Sequence, residues 1–343
     1  MNPTARPAEA SDRSGFTLVE LLTAMVVISL LVAMTTMMMG TVRESARKDQ
    51  TRALIATIDE ILMTKWESYA TRPLPIVLPS QPDNFSVKIP ARESARVRLI
   101  MLRDLMRMEM PDRYSDVDVA APITARAIQT NAAGAQTWVP VGVTWTTPAS
   151  VTNYTNRLRS TRTPENASSE LLYLILSTSS FNGISAIEAI PKRNIDDTDG
   201  DGMPEIVDAW GNPIHFIRWP VGYTVPGMPV SADEFDFMQV DWGYSSDNPP
   251  ASLKPLLVSA GPDEAFNIRF TQDTETPYRL MTWPLSQMGT GARDESAGRS
   301  SPYYYIDPYL RQYSGAGLIG EKLDDTSEQH RDNITNYNVN SST

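Results

Sequence analysis

The sequence predicts an α+β chain, in which a long amino-terminal helix leads into a globular domain with a small antiparallel sheet and long loop insertions. Three observations predict it. Residues Phe16 to Val42 form a run of 27 residues whose single ionisable side chain is Glu20. Behind that run, Leu54, Ile58, Ile61, Leu62, Lys65, Trp66 and Tyr69 recur at spacings of three and four, which carries the helix on to about residue 70. The second half of the chain instead holds short strand-like runs, Ile214 to Trp219 and Leu256 to Ser259, set between Gly- and Pro-containing turns.

Composition narrows the function classes. The chain has 343 residues; without the leader and the apolar run, about 300 remain, room for one large domain with insertions or two small ones. The net charge of −11 lies in the part beyond the leader, because Arg6 and Arg13 cancel Glu9 and Asp12. Such an acidic chain is a poor partner for nucleic acid and a suitable one for cations. With no cysteine there are no disulfides, thiolate metal sites or cysteine nucleophiles, and 26 Pro with 18 Gly predict a loop-rich domain.

The amino-terminal run is long enough to cross a bilayer, for which about 20 apolar residues suffice. A secretory signal places its apolar core before the cleavage point; here a short polar leader ends in Gly15 and the apolar run begins directly after it. A carboxylate within hydrocarbon is expensive and generally has a partner, so Glu20 reads either as a tolerated polar residue near the helix end or as an assembly contact. The positive-inside count points the other way for orientation: Arg43, Arg47, Lys48 and Arg52 outnumber the two arginines of the leader, which taken alone puts the large domain in the cytoplasm.

The string Gly15-Phe16-Thr17-Leu18-Val19-Glu20 resembles the prepilin leader of the type IV pilin and type II secretion pseudopilin superfamily. The resemblance implies cleavage after Gly15 by a membrane-embedded prepilin peptidase, methylation of the new amino terminus at Phe16, and pairing of Glu20 with the Phe16 amine of a neighbouring subunit. It also implies a lollipop shape and a single-pass protein of the bacterial inner membrane with its large domain outside, the orientation preferred here over the charge count. The segments are then 1–15 as leader, 16–42 as membrane and polymerisation helix, 43–72 as amphipathic continuation, and 73–343 as exported domain. A continuous helix from Phe16 to about Ala70 is roughly 80 Å long.

Pro73 and Pro75 stop that helix. A second is expected over 91–110, with Val97, Ile100, Met101, Leu105 and Met108 on one face and Arg92, Arg96, Arg103 and Arg107 on the other. A basic helix invites readings as a lipid or nucleic-acid surface; the plainer expectation is a solvated arginine face, with acidic segments elsewhere in the chain able to pair with it. Residues 111–162 lack a clear period and read as an extended insertion with one short strand near Trp138 to Trp145. Thr163-Pro164-Glu165 reads as the start of an apolar helix, with Thr163 as its cap.

The segment from Asp197 to Asp208 carries metal chemistry. Asp197, Asp199, Asp201, Glu205 and Asp208 stand at positions 1, 3, 5, 9 and 12 of a loop with Gly202 at position 6, and Met203 at 7 offers its carbonyl. That spacing turns alternate carboxylates onto one calcium ion, with glycine permitting the bend. An EF-hand has glutamate where Asp208 stands, and no long helix flanks the loop on both sides. DTDGDG is equally good turn chemistry, so a solvated acidic turn stays open.

Asp208-Ala-Trp-Gly-Asn-Pro213 follows, then the period-two run IHFIRW, with Ile214, Phe216 and Arg218 against His215, Ile217 and Trp219. This resembles the D-x-W-G-N-P motif of the major pseudopilin of type II secretion, the general secretion pathway protein G type. That family also has an apolar strand ending in S-x-G-x-D, here Ser259 to Asp263, and an aspartate-rich segment near the carboxyl terminus, here Asp332 to Asn336. The resemblance implies a calcium site in that loop, with Asp263 and Asp332 as ligands; both residues capping turns is the plain alternative. It leaves 221–252 and 264–330 as insertions, the latter with the Tyr303-Tyr304-Tyr305 patch. His215 lacks neighbouring zinc ligands and reads as one face of a strand.

Three function classes follow. The first is a structural, non-enzymatic subunit of a periplasmic pseudopilus, with other pseudopilin subunits, prepilin peptidase, the inner-membrane assembly platform and the membrane as partners, and calcium as a structural ion. The second is a minor pilin or adhesin of a type IV pilus-like surface filament. The third is a membrane-anchored hydrolase, against which stands the absence of any Ser/His/Asp order, zinc spacing or phosphate loop.

Overall fold

The computed structural model describes residues 17–74, 86–117, 123–143, 146–224, 231–241, 251–270, 280–281, 305–306, 318–323 and 332–339. The chain divides into two compact units, Met1–Arg47 and Lys48–Thr343. Helix α1 (Leu18–Thr71) runs through the division as 54 continuous helical residues. Strand β1 (Ser86–Lys88), helix α2 (Ala91–Glu109), strands β2 (Ile123–Thr130) and β3 (Gln136–Val143), and helices α3 (Ala149–Arg157) and α4 (Ala167–Thr178) follow. Short strands make up the rest: β4 (Ser180–Phe181), β5 (Ile184–Ser185), β6 (Ile195–Asp196), β7 (Glu205–Ile206), β8 (His215–Ile217), β9 (Leu256–Ser259), β10 (Leu280–Met281), β11 (Tyr305–Ile306) and β12 (Ile334–Thr335). The architecture is α+β, as the sequence predicts.

In the second unit the apolar stripe of α1 builds the core. Leu54, Ile55, Ile58, Ile61, Leu62, Trp66 and Tyr69 are buried together with Leu171, Leu172, Ile175, Phe216 and Leu257. Burial of this kind is the main drive for folding, at about 25 cal/mol per Å² of apolar surface. Two polar contacts fix the register of α1 on this core. Ala209 N–H donates to Thr51 Oγ1 at 3.2 Å, and Asn336 Nδ2 donates to Asp59 Oδ1 at 2.8 Å.

The sheet β12-β9-β8 is antiparallel throughout, with Ile334 opposite Ser259 and His215 opposite Val258. It joins the three segments on which the pseudopilin resemblance in this domain rests. Asp208 Oδ1 accepts from Trp210 N–H and Asn212 N–H at 2.8 and 3.0 Å, closing the turn that feeds β8, while its Oδ2 accepts from Ser259 Oγ at 2.7 Å. Gly261 has φ +75°, and a Cβ there would meet the Asp332 carbonyl oxygen at 2.7 Å, so only glycine fits where the two segments close on each other.

Three expectations need correction. Residues 111–162 are not a loop with one strand: β2 and β3 pair antiparallel from Ile123↔Val143 to Thr130↔Gln136, β1 adds to β2, and α3 follows. Asn131 closes the hairpin, its Oδ1 accepting from Ala133 and Ala135 N–H, an Asx turn. Alternate residues Ile123, Ala125 and Ala127 are buried. Second, α4 begins at Ala167 after Asn166, and Thr163 does not cap it. Third, α2 forms as expected, ending where Pro111 disfavours helix at Met110, but of its arginine face only Arg92 is exposed. Arg96, Arg103 and Arg107 are buried. The expected pairing with acidic segments elsewhere holds for Arg103, which bridges Asp233 at 3.0 Å and Asp241 at 2.5 Å, while Arg96 and Arg107 pair within α2 itself, with Glu93 at 2.6 Å and Asp104 at 2.9 Å. Beside them, Arg218 is fully buried and reaches Asp116 at 3.0 Å and the Met110 carbonyl at 2.6 Å. Of the Tyr303–Tyr309 run, the described residues comprise only Tyr305 and Ile306, whose backbone pairs with Leu280 and Met281.

Candidate functional site

In the first unit, residues 18–42 are exposed on every side of the helix, from Leu18 at 79% to Val42 at 66%. Such a surface is unstable in water and requires a cover of lipid or protein. The five hydroxyl side chains in this stretch all donate to carbonyls of their own helix: Thr23 to Glu20, Ser29 to Met25, Thr35 to Leu31, Thr36 to Val32 and Thr41 to Met38, at 2.7 to 3.0 Å. The polar atoms are thereby satisfied within the helix, the condition hydrocarbon imposes. α1 is the one helix among the described residues long and apolar enough to cross a membrane.

Glu20 sits at the mouth of this helix in a capping box. Its Oε2 accepts from Thr17 N–H at 2.9 Å and Thr17 Oγ1 at 2.8 Å, while Glu20 N–H donates back to Thr17 Oγ1 at 3.3 Å. The carboxylate is thus held within the first turn. Gly15 and Phe16 lie outside the described residues.

The acidic loop of the second unit bends at Gly202, φ +93°. Asp197, Asp199 and Asp201 bring carboxylate oxygens within 4.8 Å of one another. Each also accepts from the protein: Asp197 from Gly202 N–H at 3.1 Å, Asp199 from Asp201 N–H at 3.2 Å and Thr163 Oγ1 at 2.7 Å, and Asp201 from Met203 N–H at 2.7 Å and Thr163 N–H at 2.6 Å. Thr163 therefore fastens this loop rather than capping a helix. Glu205 faces another way, and its carboxylate groups with Asp199 and with Glu170 of α4, again within 4.8 Å. The Met203 side chain goes into the core, and Asp208 stands apart at the β8 turn.

Burial shapes the protonation of this second group. It raises Glu170 to about 8 against the hydrogen bond from Tyr114, helped by the charges of Asp201, Glu205 and Asp199. Burial likewise raises Glu205 to about 7, against the Thr198 N–H bond at 2.7 Å. Sequence reasoning missed Glu170; the signal was an acid inside the otherwise apolar run of α4.

Asp263 and Asp332 are neighbours, and Asp332 is raised by burial first and then by the Asp263 charge. Its Oδ1 is buried without a hydrogen-bond partner. His215, in β8 as expected, is enclosed by Phe266 and Phe270 at 4.7 Å and shares a 2.8 Å hydrogen bond with Ser168 Oγ.

Comparison with known families finds a match at the amino-terminal end. The model of the prokaryotic N-terminal methylation motif matches residues 10–36. That match and the apolar helix behind it support a type IV pilin-like family, with a prepilin-type amino terminus and a single-pass anchor. The match implies processing by prepilin peptidase and assembly with other subunits, the roles of a structural family. No curated protein and no solved structure matches the chain.

Proposed function

We propose that the chain is a structural subunit of a type II secretion-like pseudopilus, with its second unit in the periplasm and its polymerisation through residues 16–42. The observation that carries this reading is the apolar stretch 18–42, exposed on all sides and with its hydroxyls turned inward, directly behind a prepilin cleavage motif. Prepilin peptidase cuts after Gly15 and methylates Phe16. The capping box then holds the Glu20 carboxylate where the Phe16 amine of an adjacent subunit can reach it, a charge pair strengthened by low dielectric. An assembly motor draws such subunits from the bilayer one at a time, and the apolar helix passes from lipid to the filament interior without exposure to water.

Three segments that resemble the secretion pseudopilin support our choice of the secretion branch. The turn Asp208–Pro213, the strand ending at Ser259 and the segment at Ile334 stand side by side in β8, β9 and β12. Calcium at Asp263 and Asp332 belongs to the same reading. The test is mass spectrometry of the amino terminus of the chain recovered from membranes. A mature chain that begins with N-methylated Phe16 is expected; a population that retains Met1 overturns the filament role.

A further inference from the structure

Asp199 belongs to two groups of carboxylates that differ in one respect. In the outer group, with Asp197 and Asp201, every side chain accepts hydrogen bonds from loop N–H groups or from Thr163. That is a self-contained turn. In the inner group, Glu170 and Glu205 are both 0% exposed, and the Oε1 atom of each is buried with no hydrogen-bond partner. A buried carboxylate oxygen without a donor is strongly disfavoured, and native structures rarely keep two side by side. No ion pair among the described residues involves Glu170, Asp199 or Glu205. The remaining oxygens are held in place: Glu170 Oε2 accepts from Tyr114 Oη, and Glu205 Oε2 from Thr198 N–H.

We propose that Glu170, Asp199 and Glu205 bind a calcium ion that fastens the acidic loop to helix α4. The donor set is entirely oxygen and carries up to three negative charges, which selects a hard divalent cation. A spread of up to 4.8 Å between ligand oxygens suits opposite sides of an ion bound at about 2.3–2.6 Å. Asp199 is exposed while the two glutamates are buried, so the ion enters past Asp199 and exchanges part of its water shell for the inner oxygens. Glu170 comes from α4 and the other two ligands from the loop and β7, so the ion links segments about 30 residues apart, as a metal clip does. This site keeps only Asp199 and Glu205, positions 3 and 9, of the 1, 3, 5, 7, 9, 12 spacing, takes its third ligand from α4, and leaves out Asp197, Asp201 and Asp208. It does not depend on the filament reading.

The test is calcium titration of the full chain in detergent, by calorimetry after chelator treatment, on wild type, Glu170→Gln, Glu205→Gln, Asp197→Asn and Asp332→Asn. Glutamine keeps the size and the acceptor for Tyr114 or Thr198, and two separate glutamine variants guard against misfolding of either. One binding step is expected to weaken by about tenfold or more in each glutamine variant and to stay within about threefold in Asp197→Asn and Asp332→Asn. No saturable step in wild type, wild-type affinity in both glutamine variants, or a tenfold loss confined to Asp197→Asn overturns the site. A step lost only in Asp332→Asn reports the Asp263 and Asp332 pair and also overturns it. The state of the amino terminus at Phe16 is read separately and leaves this outcome unaffected.

Discussion

Helix α2 and the first half of α1 invert the usual relation between polarity and burial. α2 carries Arg96, Arg103 and Arg107 at 8%, 3% and 1% exposure, whereas residues 18–42 of α1 hold leucines, valines and methionines more than half exposed. The difference lies in the supply of partners. Glu93 pairs with Arg96, Asp233 and Asp241 with Arg103, and Asp104 with Arg107, so charge is buried in pairs. Among the described residues the apolar stretch 18–42 is exposed throughout and has no such partners, so its apolar surface calls for a cover of lipid or protein. Polarity alone does not decide what is buried; partner availability does.

The largest effect should come from breaking a buried charge set. Arg218 reaches Asp112 and Asp116 and donates to the Met110 carbonyl. Arg218→Met removes the cation that bridges Asp112 and Asp116, leaves Arg113 as the nearest positive charge to these two buried carboxylates, and should destabilise the second unit by about 3–5 kcal/mol, read by urea unfolding in detergent. A loss under about 1 kcal/mol would show that these charges are reached by water and would undo the contrast with the apolar stretch.

A smaller effect comes from a buried neutral group. Burial between two phenylalanine rings lowers His215 from 6.5 to about 4. A folded-state pKa below the unfolded one means the unfolded chain binds the proton more readily, so the stabilisation from neutral His215 is complete above pH 6.5. It is lost as pH falls from 6.5 towards 4. The stability difference between wild type and His215→Gln should shrink by about 2 kcal/mol between pH 7 and pH 4.5, since part of the ring remains in contact with solvent. A difference that stays constant with pH would mean that the histidine is as easily protonated in the fold as outside it.

What was legible in the sequence is what depends on near neighbours. The single-charge run and the three- and four-residue spacing gave α1 almost to its last residue, because a helix face is written within a few turns. The β8 turn was legible through Asp208, Trp210, Gly211 and Asn212. The β2–β3 hairpin was not, because its buried positions include the small Ala125 and Ala127 on either side of Arg126, and small residues give a weak period-two signal. The inward turn of Arg103 escaped for a different reason: Asp233 and Asp241 lie at least 130 residues away and nothing local announces them. Glu170 stood out locally as an acid in the apolar run of α4, but its group with Asp199 and Glu205 is completed only by the fold.

The smallest expected effect tests the bare stretch itself. Leu30 is 61% exposed in the first unit and Leu171 is 0% exposed in the core of the second. Truncating Leu171 to alanine removes buried atoms and leaves a cavity, for a loss of about 2–5 kcal/mol. The same truncation at Leu30 removes atoms from an exposed position of the first unit, so unfolding of the second unit in detergent should shift by less than about 0.5 kcal/mol. If Leu30 is instead a packing residue of a filament interior, Leu30→Ala lowers the yield of assembled filament while the domain midpoint stays put. A midpoint that falls with Leu30→Ala as far as with Leu171→Ala would mean that the stretch is covered by its own chain, and the need for an outside partner would disappear.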